Sequence, residues 1–213
     1  MLSPPVRTVR QVLLTAGCPG CGGPGPALCD GCAAALSPPP GLPPPAGVDA
    51  CVALLAYEGP GRRLLARLKY ANERSALRGL AAALAAAAPP GADVVTWVPT
   101  TPARRRDRGF DQAELLARAV ARRLRLPCRP LLRRRPGPAQ TGRSRAERRT
   151  SPPAFTARRR VAPTVLLVDD VVTTGATASA AATTLRRAGA SSILLLTAAR
   201  TPPPWTAGDR SVH

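Results

Sequence analysis

The chain is poor in the side chains that do most acid–base and stacking chemistry. Its one histidine, His213, is the last residue, so we expect acid–base work to fall to carboxylates. Aromatic residues make up 3% of the chain, which argues against binding single-stranded nucleic acid by base stacking. No apolar run approaches the ~18 to 20 residues of a membrane span, and the apolar stretch near the N-terminus is too short for a signal peptide. We therefore expect a cytosolic, cytoplasmic protein without a membrane span.

Lysine is almost absent from a strongly basic chain. The formal net charge is +19, yet Lys69 is the only lysine among 31 basic residues. Residues 104–160 alone hold 19 arginines and four acids. Such a region indicates an anionic partner, either a small phosphorylated ligand or nucleic acid, or else a solvated surface of an arginine-rich protein. The single lysine suggests a position that needs a compact ammonium group with a tunable charge.

The two common phosphate-binding motifs, GxGxxG and GxxxxGK[ST], are missing, but another pattern replaces them. In residues 165–179, VLLVDDVVTTGATAS, an apolar strand runs into Asp169 and Asp170, and a Thr/Gly loop then opens a helix. Helix N-termini bind phosphate through backbone N–H groups, and carboxylates accept hydrogen bonds from sugar hydroxyls. The plainer interpretation is a turn whose Asp and Thr residues cap the helix, which needs only one such residue. The pattern favours a phosphate-plus-sugar site.

Two CxxC pairs lie near the N-terminus: Cys18, Cys21, Cys29 and Cys32. Four thiolates in paired knuckles are typical of structural Zn²⁺. The seven residues between the pairs predict a compact knuckle or ribbon. Disulfides are uncommon in cytosolic proteins, and a redox CxxC would need a helix start in a βαβ setting. We expect the two remaining cysteines, Cys51 and Cys128, to pack as small buried hydrophobic residues.

Composition divides the chain into four parts. They are a zinc module (1–36), a stiff proline-rich linker (37–47), an α/β domain (48–200) and a disordered tail (201–213). Within the domain, strands are predicted at 51–57, 94–98, 165–168 and 193–197, and helices at 62–68, 75–88, 112–126 and 176–188. Alternating strands and helices predict a mainly parallel sheet flanked by helices. Residues 104–108 look like a basic loop. Roughly 129–160 show no periodicity, which indicates either a mobile functional loop or helices and strands that the pattern fails to reveal.

Several blocks in this order resemble the ComF family, phosphoribosyltransferase-like proteins associated with natural competence in bacteria. The segment 165–179 itself resembles the 5-phosphoribosyl-1-diphosphate (PRPP) motif of type I phosphoribosyltransferases. The other blocks are the four cysteines, Tyr57-Glu58-Gly59, Leu68-Lys69-Tyr70, Val98-Pro99, Arg108-Gly109-Phe110-Asp111-Gln112, and Arg145, Arg148 and Phe155. The resemblance covers nearly the whole chain.

The resemblance implies a type I phosphoribosyltransferase fold with an N-terminal four-cysteine zinc module. Asp169 and Asp170 would hold the ribose hydroxyls, and Lys69 would lie in the pyrophosphate-binding loop. Arg108 would lie near the site, and residues 133–149 would match a flexible loop that closes over PRPP. The 5-phosphate would be cradled by Thr173, Thr174, Gly175, Ala176 and Thr177, and Val171 completes the implied PRPP-binding set. The family usually has Asn where this chain has Thr150.

By the same resemblance, the protein would bind PRPP with Mg²⁺ and transfer phosphoribose with release of pyrophosphate, with Asp169, Asp170 and Lys69 as the catalytic set. An alternative is a scaffold or sensor that binds PRPP or a nucleotide without chemistry. The implied partners are the competence helicase and single-stranded DNA. No motif identifies the acceptor.

Overall fold

The computed structural model describes the parts of the chain that hold its sheets and pockets. The backbone is described at residues 17–18, 20–24, 28–70, 74–135, 153–158 and 161–202, and side chains at all of these except 67–70, 74–76 and 108. The predicted tail and most of the predicted flexible loop lie outside the described residues. Among the helices that are described, none combines the length and the apolar character needed to cross a membrane.

Helices and strands alternate along most of the chain. The helices are α1 (Asp30–Ala34), α2 (Gly59–Tyr70), α3 (Arg74–Ala87), α4 (Pro102–Arg108), α5 (Gln112–Leu124) and α6 (Ala176–Arg187). The strands are β1 (Ala50–Ala56), β2 (Val94–Trp97), β3 (Leu132–Arg134), β4 (Phe155–Ala157), β5 (Thr164–Val172) and β6 (Ser192–Arg200).

Four strands form one sheet in the order β1-β6-β5-β2, and all of its pairings are parallel. Parallel neighbours need crossover connections, and α6 provides the one between β5 and β6. The short strands β3 and β4 pair separately as an antiparallel two-stranded sheet. The predicted α/β class with a mainly parallel sheet flanked by helices is therefore confirmed.

Both faces of the main sheet are buried, and β5 shows why its sequence is continuously apolar. Leu166 and Val168 point into the cluster formed with α2, α3 and α5. Val165 and Leu167 point into the cluster formed with α6 and the β3–β4 sheet. A strand that is covered on both sides needs apolar residues at every position rather than at alternate ones.

The strands β5 and β6 are longer than the sequence predicts. β5 was expected to end at Val168, but it continues through Asp169 and Asp170 to Val172. The reason is pairing with β6, in which Asp169 lies opposite Thr197 and Val172 lies opposite Arg200. Ladder hydrogen bonds thus extend the strand past its apolar run, and they fix the backbone of both acids.

Two regions expected to be irregular contain regular structure. The predicted basic loop at 104–108 is helix α4, whose N-cap Thr101 accepts a hydrogen bond from the Arg104 N–H and whose first position is Pro102. Gly109, at φ +77°, ends it in the left-handed conformation. The segment 129–160, expected to lack structure, supplies β3 and β4, which at three residues each are too short to show a period.

The cysteine segment packs on the α/β core. Cys18, Leu28, Cys32 and Leu36 are buried in the same cluster as the apolar side chains of α2, α3 and β1. The proline-rich residues 37–47, hereafter the proline strap, then follow the sheet instead of leaving it.

The proline strap is fixed at several points. At its start, the Ser37 carbonyl accepts a hydrogen bond from the Ala56 N–H, 3.1 Å away. In its middle, the buried guanidinium of Arg200 donates to the carbonyls of Leu42 and Pro43 at 2.9 and 2.6 Å. Because proline has no backbone N–H, a proline-rich segment forms few hydrogen bonds within itself. Its carbonyls are therefore available to donors elsewhere in the protein.

Asp49, just after the strap, links β6 to α6. Its carboxylate accepts hydrogen bonds from the Ile193 N–H at 2.6 Å and from Arg186 at 2.6 and 2.7 Å. The Ile193 N–H lowers the pKa of this carboxyl below its usual range, and Arg186 lowers it further against the opposing effect of burial.

Asp49 should make the free energy of unfolding depend on pH in the acidic range. With its pKa lower in the folded state, the unfolded chain binds more protons, so its contribution is present above about pH 4 and lost as the pH falls further. We expect the free energy of unfolding of Asp49→Asn, measured by urea denaturation, to decline less between about pH 6 and pH 3 than that of the wild type. Asp107→Asn, at an exposed carboxyl, is the control and should decline as the wild type does.

Candidate active site

A cavity of about 370 Å³ opens at the carboxyl ends of β1, β2 and β5. This is the edge of a parallel sheet at which ligands bind in open α/β folds. Its wall combines acids, hydroxyls, arginines and two aromatic side chains. The lining includes Tyr57, Val98, Pro99, Thr100, Arg104, Phe110, Asp111, Gln112, Ala113, Arg134, Asp169, Asp170, Val171, Thr173 and Thr177.

The acidic pair lies at the mouth of this cavity. Asp169 is 8% exposed, and its Oδ1 accepts the Asp170 N–H at 2.8 Å. Asp170 Oδ1 in turn accepts the Val171 N–H at 2.7 Å, and the hydroxyl of Thr197 donates to the Asp170 carbonyl at 3.2 Å. The two bonds to Oδ1 orient both carboxylates. Such carboxylates suit sugar hydroxyls, and their hard oxygen atoms also suit Mg²⁺.

The loop after β5 leads directly into α6. Gly175 is the N-cap of α6 and adopts φ +78°, a conformation that glycine takes without strain. The Ala176 N–H points toward Thr174 Oγ1, 3.4 Å away, and Thr173 and Thr177 lie in the cavity wall. A helix N-terminus offers backbone N–H groups and a positive partial charge. Together with the Thr hydroxyls, this arrangement can hold a phosphate group.

The proline strap touches this loop. A Cβ atom placed on Gly175 would lie 3.1 Å from Pro45 Cβ, closer than such atoms normally approach. On the same side of α6, a Cβ on Gly47 would meet the Ala182 side chain at 3.5 Å. The strap therefore packs against the loop, and a larger residue at position 175 would require Pro45 to shift by a few tenths of an ångström.

Arg134 lines the same cavity as the acids. Its guanidinium lies 5.6 Å from the centre of the Phe155 ring and donates to the Pro99 carbonyl at 3.4 Å. Burial lowers the pKa of Arg134, as does the neighbouring charge of Arg104, whereas Asp169 acts to raise it. Arg134 and Arg104 supply positive charge to a site whose other charged residues are acids.

Asp111 holds the adjoining corner of the cavity in place. Its carboxylate accepts hydrogen bonds from the N–H groups of Thr100 at 2.9 Å, Ala113 at 3.1 Å and Glu114 at 3.4 Å. Burial raises the pKa of Asp111, and the hydrogen bonds to the backbone oppose that rise. The sequence-based expectation that Asp111 caps the helix beginning at Gln112 is confirmed.

We expect Asp111→Ala to lower the free energy of unfolding by about 2 to 3 kcal/mol. The substitution removes a helix N-cap and leaves buried N–H groups without their acceptor. Chemical denaturation measures the loss, and Asp111→Asn should recover part of it because its amide oxygen can still cap. A loss below about 0.5 kcal/mol, the size expected at an ordinary surface position, would contradict this role.

The structure brings together five of the residues proposed for PRPP: Asp169, Asp170, Val171, Thr173 and Thr177. Three more of that set, Thr174, Gly175 and Ala176, belong to the same turn. Lys69 lies in α2 and Arg108 ends α4, but both side chains are outside the described residues.

Part of the cavity wall was not predicted as a site. Tyr57 follows β1, and Arg104 and Phe110 come from α4 and the turn after it. Arg134, in β3, falls within the stretch 133–149 that the resemblance implies as a closing loop. Tyr57 and Phe110 could have been recognised as candidate site residues because they lie just beyond the end of a strand and of a helix. Trp97, expected in the core or a pocket wall, is 7% exposed and lies in the wall of a neighbouring cavity. Arg133, the first residue of the implied flexible loop, lies in β3. Residues 136–152 are not among the residues that the structure describes.

The four cysteines of the N-terminal segment meet at one point. Their sulfur atoms all lie within 4.8 Å of one another, with Cys18 Sγ 3.6 Å from Cys29 Sγ. Four sulfurs at ~2.3 Å around a tetrahedral Zn²⁺ would be about 3.8 Å apart, so the cluster needs only a slight contraction to hold that ion. Cys18 and Cys32 are buried and the other two are exposed. By contrast, Cys51 and Cys128, expected to be buried, are only half-buried against the core.

The environment of these thiols differs from one to the next. Burial opposes a charge on Cys18, but the N–H groups of Cys29, Cys21 and Gly20 outweigh it and lower the pKa of this thiol to about 6. Burial raises the pKa of Cys32 to about 12, with a further contribution from the neighbouring thiols. Such closely spaced sulfurs resist losing four protons together unless a cation compensates the charge.

We expect the purified full-length chain to carry one Zn²⁺ and Cys21→Ser/Cys32→Ser to carry none. Elemental analysis after dialysis against a weak chelator measures the metal content. Cys51→Ser, which removes a thiol outside the cluster, should retain the ion. Equal zinc in both variants would show that the metal binds elsewhere.

Comparison with known proteins gives limited matches. No family model matches the chain, and no curated protein matches it. One similar solved structure is described as the allosteric regulatory enzyme of purine biosynthesis, with 26% identity over 57% of this chain and 25% of that one, and a TM-score of 0.41. Another is glutamine PRPP amidotransferase from B. subtilis complexed with ADP and GMP, with 27% identity over 56% and 25% and a TM-score of 0.40. This chain thus corresponds to about a quarter of the length of either protein.

Proposed function

We propose that the protein is a ComF-like member of the type I phosphoribosyltransferase group that binds PRPP with Mg²⁺ in the cavity at the sheet edge. The observation that carries this proposal is the convergence of an oriented acidic pair and a helix-capping Thr/Gly loop in one cavity. An acidic pair alone would suit many ligands, and a phosphate loop alone would suit any phosphate ester. Their combination matches a phosphorylated sugar.

Each part of PRPP has a matching part of the cavity. The 5-phosphate would accept hydrogen bonds from the backbone of residues 173–177, at the positive end of α6. The ribose hydroxyls would donate to Asp169 and Asp170. The diphosphate would face Arg104 and Arg134, which line the same cavity. Mg²⁺ would be held by the diphosphate together with the carboxylates, and its charge would stabilise the leaving group.

In the transfer reaction, a nucleophilic atom of the acceptor forms a bond to C1 of the ribose. The bond between C1 and the diphosphate oxygen breaks, and pyrophosphate leaves with the bonding electron pair. Positive charge develops on the ring, as it does in glycosidic cleavage. Asp169 and Asp170 would hold the sugar and counter that charge, while the arginines would stabilise the departing anion.

Binding and turnover need separate tests, since a phosphate site does not prove catalysis. Calorimetry with PRPP and Mg²⁺ measures binding. Release of pyrophosphate with a panel of nucleobases and amines measures transfer. Binding with release supports the enzyme, binding without release supports a PRPP or nucleotide sensor, and absence of binding contradicts both.

Association with DNA uptake, through the competence helicase or single-stranded DNA, is part of the proposal that rests on the ComF resemblance. The high arginine content of residues 104–135 would favour an anionic strand, and the scarcity of aromatic residues would make that contact electrostatic. Fluorescence anisotropy with a labelled oligonucleotide should then show affinity that falls steeply with salt. Affinity that is absent or insensitive to salt would remove DNA from the list of partners.

A further inference from the structure

A second cavity, of about 280 Å³, adjoins the proposed PRPP site. The two cavities share Pro99, Thr100, Asp111 and Arg134 as a common wall. We call the second one the arginine pocket because five arginines line it: Arg105, Arg118, Arg133, Arg134 and Arg158.

The arginine pocket carries excess positive charge. Its five arginines face two carboxylates, those of Asp111 and Glu114. Glu114 is already neutralised, because it pairs with Arg118 at 2.8 Å and with Arg105 at 3.6 Å. Asp111 is engaged by three backbone N–H groups. Five arginines and two carboxylates give the pocket a net charge of +3, and one of those arginines, Arg134, is shared with the PRPP site.

Two of these guanidinium groups are held against aromatic rings. Arg118 lies 5.7 Å from the centre of the Trp97 ring, and Arg134 lies 5.6 Å from that of Phe155. Arg118 already donates to Glu114 through Nε and Nη2, and Arg134 donates to the Pro99 carbonyl through Nη1. The remaining N–H groups of each guanidinium are the ones that would bind carboxylate or phosphate oxygens. The charges also come from separate elements, α4, α5, β3 and the residue after β4, so they surround the cavity.

We propose that the arginine pocket binds the anionic group of the second substrate, the acceptor of phosphoribose. This inference rests on the proposed function, because a transfer reaction needs a second molecule held within about 3.5 Å of the ribose carbon. The shared wall places the pocket beside the PRPP site, and its volume is close to the lower end of ligand cavities, about 300 Å³. The acceptor is thus a small molecule that carries a carboxylate or a phosphate.

The test uses the full-length chain and two anions, phthalate and orthophosphate, as probes for a planar dicarboxylate and a phosphate. Each is titrated by calorimetry first alone and then with saturating PRPP and Mg²⁺. We expect at least one of the probes to bind at a single site that PRPP leaves available. Binding of phthalate alone would identify a carboxylate acceptor, and binding of orthophosphate alone a phosphorylated one.

The variant Arg105→Ser/Arg158→Ser removes two exposed arginines of the pocket, and Arg122→Ser/Arg187→Ser removes two exposed arginines outside it. We expect the first to weaken probe binding by roughly 10-fold or more, as for lost charge-assisted hydrogen bonds, and the control by less than about 2-fold. Equal weakening in both variants, undiminished binding in the first, displacement of the probes by PRPP, or no probe binding at all would overturn the inference.

The outcomes also separate this inference from the proposed function. PRPP binding without probe binding leaves the phosphoribosyltransferase proposal intact and removes the arginine pocket from it. If the probes bind in a way that depends on Arg105 and Arg158 but PRPP does not bind at all, the phosphoribosyltransferase proposal fails. The pocket then binds an anion, but that anion is not an acceptor of phosphoribose.

Discussion

Replacing Asp169 and Asp170 together by asparagine should weaken Mg²⁺-dependent PRPP binding by roughly 100-fold or more. In the proposed complex each carboxylate would accept a charge-assisted hydrogen bond from a ribose hydroxyl, and loss of one such bond costs about 10-fold or more. Asparagine keeps an oxygen that can accept the Asp170 and Val171 N–H groups, so the strand end should remain folded. Calorimetry of both proteins with PRPP and Mg²⁺ measures the difference.

The matched control for this prediction is Asp30→Asn/Asp107→Asn. It removes the same two charges at exposed positions in α1 and α4, outside the residues that line the cavity. Its PRPP affinity should stay within about 2-fold of the wild type, because surface charges act weakly at long range. Equal affinities of all three proteins would show that the acidic pair does not hold the sugar.

Gly175→Ala should weaken PRPP binding by the loop of residues 173–177, for two reasons that can be separated. The left-handed conformation, φ +78°, costs a residue with a Cβ about 1 kcal/mol, and the new methyl group would crowd Pro45 at 3.1 Å. We expect PRPP affinity to fall by roughly 10-fold or more, because a small displacement of N–H groups that contact a phosphate is costly. Calorimetry measures the affinity, and denaturation measures the stability.

Two further variants distinguish strain from crowding at Gly175. Gly91 has a similar φ of +88°, and a Cβ there would meet nothing within 4 Å, so Gly91→Ala should lose stability and keep PRPP affinity. Adding Pro45→Gly to Gly175→Ala should restore part of the affinity by making room for the methyl group. If Gly175→Ala binds PRPP normally, the strap does not shape the loop.

Local sequence patterns were sufficient for the main sheet and for one half of the site. The apolar run of β5 and the small residues after it are contiguous in the sequence. The strand, the two acids and the Thr/Gly loop could therefore be recognised together from the sequence. Asp111 was recognisable as a cap because a polar residue preceded a helical period. These features are determined by residues that are adjacent in the sequence, so a local sequence pattern can reveal them.

The remaining features depend on residues that are distant in sequence. The extension of β5 through Asp169 follows from its pairing with Thr197 on β6. Arg134 reaches the site through a strand of three residues, whose partner β4 begins at Phe155. The contact between Pro45 and Gly175 joins a segment that resembles a plain linker to the phosphate loop. Neither periodicity nor composition contains this information, because packing determines it.

A crystal structure of the full-length chain with PRPP and Mg²⁺ tests the central claim most directly. The account predicts the 5-phosphate within about 2.7 to 3.2 Å of backbone N–H groups in residues 173–177. It also predicts the ribose hydroxyls within about 2.5 to 3.0 Å of the carboxylates of Asp169 and Asp170. PRPP bound at another place, or this cavity empty at a saturating concentration of the ligand, would contradict it.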